Sequence, residues 1–156
     1  MDLRIRWQSP IDLVDGSRDD LIYAVTDLDI IPEKPGVYVF ARVHSDIVAP
    51  LYIGRAKDLK QRIDQQLNNV RLMRGIERSP KGYRTLYVGE FQPRPAQKST
   101  SALKIIEAAL ISAAMVEGFE LLNVSGTKTL AHSITSTGNR EARTWLPENI
   151  IKLRRA

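Results

Sequence analysis

Five side chains in this sequence are of types that do chemistry when brought together. Tyr38 and Tyr52 stand fourteen residues apart, in the triplets Gly36-Val37-Tyr38 and Tyr52-Ile53-Gly54. Arg55 and Arg62 follow closely, and Glu107 sits in the apolar stretch ALKIIEAALI. A phenol has a pKa of about 10, so it works as a base only where positive charge lowers that value. Arg55 comes three residues after Tyr52 and is placed to do this, with Lys57 as a second source of charge. A guanidinium offers a fork of donors that matches a carboxylate or a phosphate. A carboxylate on an apolar helix is costly if it faces inward unpaired. Glu107 therefore faces solvent or has a metal or a basic partner. Taken singly, each residue has a plainer reading: core aromatics for the tyrosines, a surface helix residue for Arg62, a cap or turn for Asn123.

The chain has no cysteine and only two histidines, His44 and His132, far apart in sequence. Disulfides and cysteine-based zinc sites are excluded, and the histidines are assigned no role. A metal here is expected on oxygen ligands, which favours a hard cation such as magnesium. Thr135 to Arg140 is polar enough to meet a phosphate, but a solvated turn is the favoured reading.

The elements that position these residues follow from periodicity. Leu21 to Val25 is expected as a helical turn, and Pro32 and Pro35 mark a turn before Gly36. Val37 to Val43 is β-branched and aromatic and predicts a largely buried strand. His44 to Pro50 is expected as a loop, and Leu51-Tyr52-Ile53 as a short second strand stopped by Gly54. The short connection predicts an antiparallel hairpin. Asp58 to Leu67 has Leu59, Ile63 and Leu67 on one helical face, with Asp58 as the N-cap. Asn68 to Ser79 is expected to be helical in part, Tyr83 to Gly89 a third strand, and Gln92 to Gln97 a loop. Ser99, Thr100 or Ser101 is expected to cap a helix running to about Glu117 and ended by Gly118. Trp145-Leu146-Pro147 and Ile150-Ile151 are expected to fold back on the core, and Lys152 to Arg155 to fray. The fold class expected is α+β, a small three-stranded antiparallel sheet flanked by helices.

Length and charge bound the partners. The chain has 156 residues, 43% hydrophobic and 26% charged, which suits one globular domain. The net charge of +5 is unevenly spread: residues 1–50 carry −4, 51–104 carry +8 and 105–156 carry +1. A basic middle third attracts phosphate and makes binding salt-sensitive. The N-terminus has no apolar run after its charges, and no stretch is expected to approach a membrane span, so a cytoplasmic location without membrane contact is expected.

The triplets, their spacing, Arg62, Glu107 and Asn123, in that order, resemble the GIY-YIG nuclease superfamily. PEKPGVYVF followed by LYIGRAKDLKQRI is most similar to the nuclease domain at the N-terminus of bacterial excision-repair endonucleases. The resemblance covers about residues 32–124, within a single nuclease domain 1–156 extended at both ends. It implies that Glu107 binds Mg2+ or Mn2+ and that Arg62 clamps a phosphate oxygen. One tyrosine would be the general base, with Tyr52 favoured over Tyr38. Arg55 stands where relatives often have lysine; it keeps the charge but cannot relay a proton. Lys57, Lys60 and Asn123 are assigned to contact nucleic acid. The activity implied is metal-dependent hydrolysis of phosphodiesters, most readily in double-stranded DNA. The alternatives are a non-catalytic nucleic-acid-binding module of the same fold, or a nuclease toxin acting on single-stranded DNA or RNA.

Overall fold

The structure, a computed structural model, describes residues 1–123, 131–135, 137–144 and 149–153. Its centre is a β-hairpin. Strand β4 (Gly36–His44) pairs antiparallel with β5 (Ile47–Ala56) through a tight turn in which Ser45 takes a left-handed conformation (φ 54°). On its other side β4 pairs with β6 (Tyr83–Phe91), also antiparallel. These are the three strands the sequence predicts, although β5 begins at Ile47 and includes Pro50, inside the stretch expected as a loop.

The expected three-stranded sheet is too small. The sheet has six antiparallel strands, and the other three come from the N-terminal residues. β1 (Ile5–Trp7) and β2 (Ile11–Asp15) lie one after the other along the far edge of β6. β3 (Tyr23–Val25) pairs outside β2 and replaces the expected helical turn at Leu21 to Val25. The class remains α+β. β1 and β3 span three residues each, too few to show a period of two, and they gain their backbone partners only from strands elsewhere in the chain.

Both faces of the sheet are covered. Tyr38 and Phe40 of β4 point into a core shared with α1 (Leu59–Leu67) and α2 (Val70–Glu77), where Leu59, Ile63, Met73 and Ile76 are fully buried. At roughly 1.5–3 kcal/mol for each fully buried side chain of this kind, such contacts hold the helices on the sheet. Val37 and Val39 point the other way, toward α3 (Ser99–Val116), which packs through Ala102, Leu103, Ile111 and Ala114. By length and composition α3 is apolar enough to cross a membrane, contrary to the sequence expectation; here it lies along the sheet. Asp58 caps α1 as expected, accepting from Gln61 N at 3.0 Å. Ser99 to Ser101 fall inside the first turn of α3 rather than at its N-cap, which is Lys98. Gly118 (φ 84°) follows the helix.

β7 (Ala131–Thr135) and β8 (Asn149–Leu153) form a separate antiparallel pair. Ile150 and Ile151 lie in β8, while Trp145 to Pro147, Arg154 and Arg155 lie outside the described residues. Among the described residues of the Thr135 to Arg140 stretch, 137–140 are exposed.

Candidate active site

Hairpin register brings the two tyrosines together. Tyr38 is directly opposite Gly54, and Phe40 is opposite Tyr52. The pair Tyr38 and Tyr52 therefore sits diagonally on one face, with ring centroids 6.3 Å apart and planes 29° apart. A β-carbon on residue 54 would lie 2.3 Å from the Tyr38 ring and hydroxyl, so the glycine leaves the space that the Tyr38 ring fills. Gly36 meets the same demand: a β-carbon there would lie 2.1 Å from the Gly89 carbonyl oxygen of the neighbouring strand.

Gln66 is the residue that sequence reasoning missed. It is buried on α1, and its Nε2 donates to the Tyr38 hydroxyl at 2.8 Å and to the Tyr52 hydroxyl at 3.4 Å. Its own Oε1 accepts from Asn69 Nδ2 at 3.2 Å, so both ends of the amide are used. The available signal was a polar residue on the core-facing stripe of α1, beside Ile63 and Leu67. Such a residue must find partners, and here they are the two phenols.

The phenols differ in environment. Tyr38 is fully buried, and burial pushes its pKa up to about 12, against a downward pull from the Gln66 hydrogen bond and the Arg62 guanidinium. Tyr52 is half-buried and lines a cavity of about 520 Å³ together with Asn69, Arg71, Glu107 and Asn123. Of the two, Tyr52 is the one that reaches open space beside a carboxylate.

Arg55 is engaged with an acidic side chain rather than with a tyrosine hydroxyl. Its guanidinium forms an ion pair and hydrogen bond with Glu107 Oε2 on α3. Strand alternation gives the reason, since residues three apart on a strand point to opposite faces. Glu107 thus has the basic partner its apolar helix calls for. Arg62 is exposed on α1, where its Nη1 reaches Gln65 Oε1 at 3.4 Å.

The assigned nucleic-acid contacts are spread out. Lys57 is exposed. The Lys60 ammonium donates to Asp29 at 2.6 Å, with Glu33 at 4.0 Å, which raises the lysine pKa and holds the Asp29 carboxyl below its usual range. The Asn123 amide is applied to the outer edge of β5, accepting from Ile53 N at 3.0 Å and donating to Ile53 O at 2.7 Å. Leu122 N donates to Leu51 O at 2.7 Å, so residues 122–123 cover the sheet edge beside the cavity.

Among the described residues no group of three or more His, Cys, Asp or Glu forms a metal cluster. The oxygen donor set facing the cavity is one carboxylate with a phenol and amides nearby. That set fits a hard cation that keeps most of its waters, and it does not fit zinc. A second depression, about 500 Å³ and lined mainly by apolar residues such as Trp7, Ile53, Leu110 and Phe119, holds neither tyrosine.

Over 41 residues, 26% of the chain, the sequence is 49% identical to UvrABC system protein C of Petrotoga mobilis, and the match covers 7% of that protein. The identity is compatible with the resemblance carried by the two triplets, over that short stretch. No family model and no solved structure matches the chain.

Proposed function

We propose that the chain is a metal-dependent endonuclease of the GIY-YIG type that hydrolyses phosphodiester bonds in DNA. The observation that carries this reading is the meeting of Tyr52 and Glu107 at one cavity, one from a strand of the sheet and the other from the helix packed on it. Tyr52 is assigned as the base that takes a proton from the attacking water. The water oxygen bonds to phosphorus as the bond to the leaving oxygen breaks, and that oxygen is protonated from solvent. Tyr38 stays neutral and holds the ring of Tyr52 and the amide of Gln66 in place. Arg62 binds a phosphate oxygen through its fork of donors. Glu107 would hold Mg2+, which when bound supplies positive charge to the phosphate. Arg55 holds the Glu107 carboxylate in position through their ion pair.

The same ion pair favours the second reading. A carboxylate already neutralised by Arg55 suits a module that binds nucleic acid without cutting it.

A cleavage panel of plasmid, single-stranded DNA and RNA with Mg2+ tests the proposal. Wild type is expected to nick DNA and to stop in excess EDTA. Glu107→Gln is expected to abolish cutting with the fold intact. Tyr52→Phe is expected to lose about 10²–10⁴-fold in rate. Cutting at the wild-type rate by Glu107→Gln, or in EDTA, would overturn the metal mechanism. Binding without cutting would support the second reading.

A further inference from the structure

We propose that the face of α2 carrying Arg71 and Arg78, continued by Arg42, is a track for the phosphate backbone of a nucleic-acid strand entering the Tyr52 and Glu107 cavity. The strand's destination rests on the nuclease reading; the track itself rests on geometry and charge.

Residues 71, 75 and 78 recur at helical spacing, on one side of α2. Gly75 is the middle one, and a β-carbon there would lie 3.1 Å from the Leu122 side chain. The missing side chain lets α2 lie close to the segment at Leu122, and the two form a common floor. On one side of that floor is the cavity with Tyr52, Glu107 and Arg71. On the other is a cavity of about 580 Å³ with Arg42, Arg78, Ser79 and Glu120. Both are lined by Gly75 and Leu122, so the two cavities adjoin at this pair.

The charges along them are one-sided. Of the two acids that line the cavities with Arg42, Arg71 and Arg78, Glu107 is paired with Arg55 and Glu120 is the other. Among the described residues, no acidic side chain pairs with Arg71 or Arg78, and both are exposed. Arg42 donates to the Lys81 carbonyl at 3.1 Å and has no acidic partner there either. Two other cations of the basic middle are committed: Lys60 to Asp29, and Arg74 to Glu77 at 3.6 Å. Seven helical residues advance about 10 Å. That spans about three phosphates of one strand, at about 3.4 Å each. Guanidinium forks suit phosphate oxygens, and one of the two cavities holds the residues proposed to cut a phosphodiester.

The test is equilibrium binding of a labelled DNA oligonucleotide by the full chain in EDTA, over a series of salt concentrations. Arg71→Gln and Arg78→Gln are each expected to reduce the slope of log K against log salt, by about 0.7 for a single strand or about 0.9 for a duplex. The double variant is expected to lose about twice that. Arg94→Gln, on the loop after β6, removes the same charge and is expected to leave the slope unchanged. Arg71→Lys is expected to retain it, which separates charge from any loss of fold. Wild-type slopes in folded Arg71 and Arg78 variants, or no binding by wild type at low salt, overturn the track. Because no metal is present, the slopes are independent of cutting. Unchanged slopes in a chain that cleaves remove the track and leave the nuclease; reduced slopes in a chain that does not cleave leave the track and remove the nuclease.

Discussion

Burial of the Tyr38 hydroxyl against Gln66 makes ionising it costly, and this can be read from stability alone. Its pKa is raised from 10.0 to about 12, so between those values the folded chain holds a proton that the unfolded chain has released. The contribution is fully present below pH 10, falls as pH rises, and is gone above about pH 12. A tenfold change in proton affinity is worth about 1.4 kcal/mol, so Tyr38 adds on the order of 2–3 kcal/mol of alkaline sensitivity. Urea melts from neutral pH to pH 12 are expected to show a steeper alkaline loss for wild type than for Tyr38→Phe. Parallel curves would show that the neutral phenol is not favoured by the fold. The same raised pKa disfavours Tyr38 as a base near neutrality.

At the level of elements, α2 depends on one buried arginine. Arg84 of β6 is 7% exposed and has no acidic partner among the described residues. Its Nε donates to Ile76 O at 2.9 Å, its Nη1 to Pro80 O and Gly82 O, and its Nη2 to Ser79 O at 2.8 Å. A guanidinium thus meets the negative end of α2 and the turn after it, satisfying carbonyls that a helix end leaves open. Arg84→Lys keeps the charge but has fewer donors and no planar fork. It is expected to lose about 2–3 kcal/mol in denaturant melts, with faster amide exchange at residues 76–82. A wild-type melt in that variant would show the fork to be dispensable. Elements with a strong local period were legible in the sequence: β4, the Tyr52 half of β5, α1, β6 and α3. Arg84, by contrast, reads as one more surface cation, because nothing local says that its targets are the carbonyls of another element. Gln66 was hidden for a related reason. Its meaning depends on two phenols brought over it by hairpin register. The roles of Glu107 and Arg62 were suggested by family resemblance, whereas the partner of Glu107 required knowing that Arg55 faces α3.

The whole molecule needs its N-terminal residues more than the resemblance over 32–124 implies. β1 and β2 close the edge of β6, and Ile31 is buried at 1% exposure. The acidic excess of residues 1–50 also meets the basic middle in space through Asp29 with Lys60, and Lys34 pairs in the opposite sense with Glu90 at 3.3 Å. Removing residues 1–31 uncovers the β6 edge at Thr85, Leu86 and Gly89 to Phe91, with its apolar neighbours. The shortened chain is expected to aggregate or to melt well below wild type in size-exclusion and thermal experiments. A monomeric, equally stable 32–156 chain would show the extra strands to be peripheral.

The register of the central hairpin has a consequence for how its sequence can vary. Pairing runs Tyr38 to Gly54 and Phe40 to Tyr52, then slips by one between Phe40 and Ala41, so that Ala41 meets Pro50 and Leu51 is the extra residue. The fourteen-residue interval between the tyrosines is therefore a ruler: strand out, two-residue turn, strand back, plus one for the bulge. Lengthening both arms of the hairpin together adds residues in pairs, and the site end keeps its phase. Homologues are expected to differ in this interval by even numbers. An odd difference calls for a second bulge, a lost one or a new kind of turn, and where none is found the two tyrosines no longer share a face.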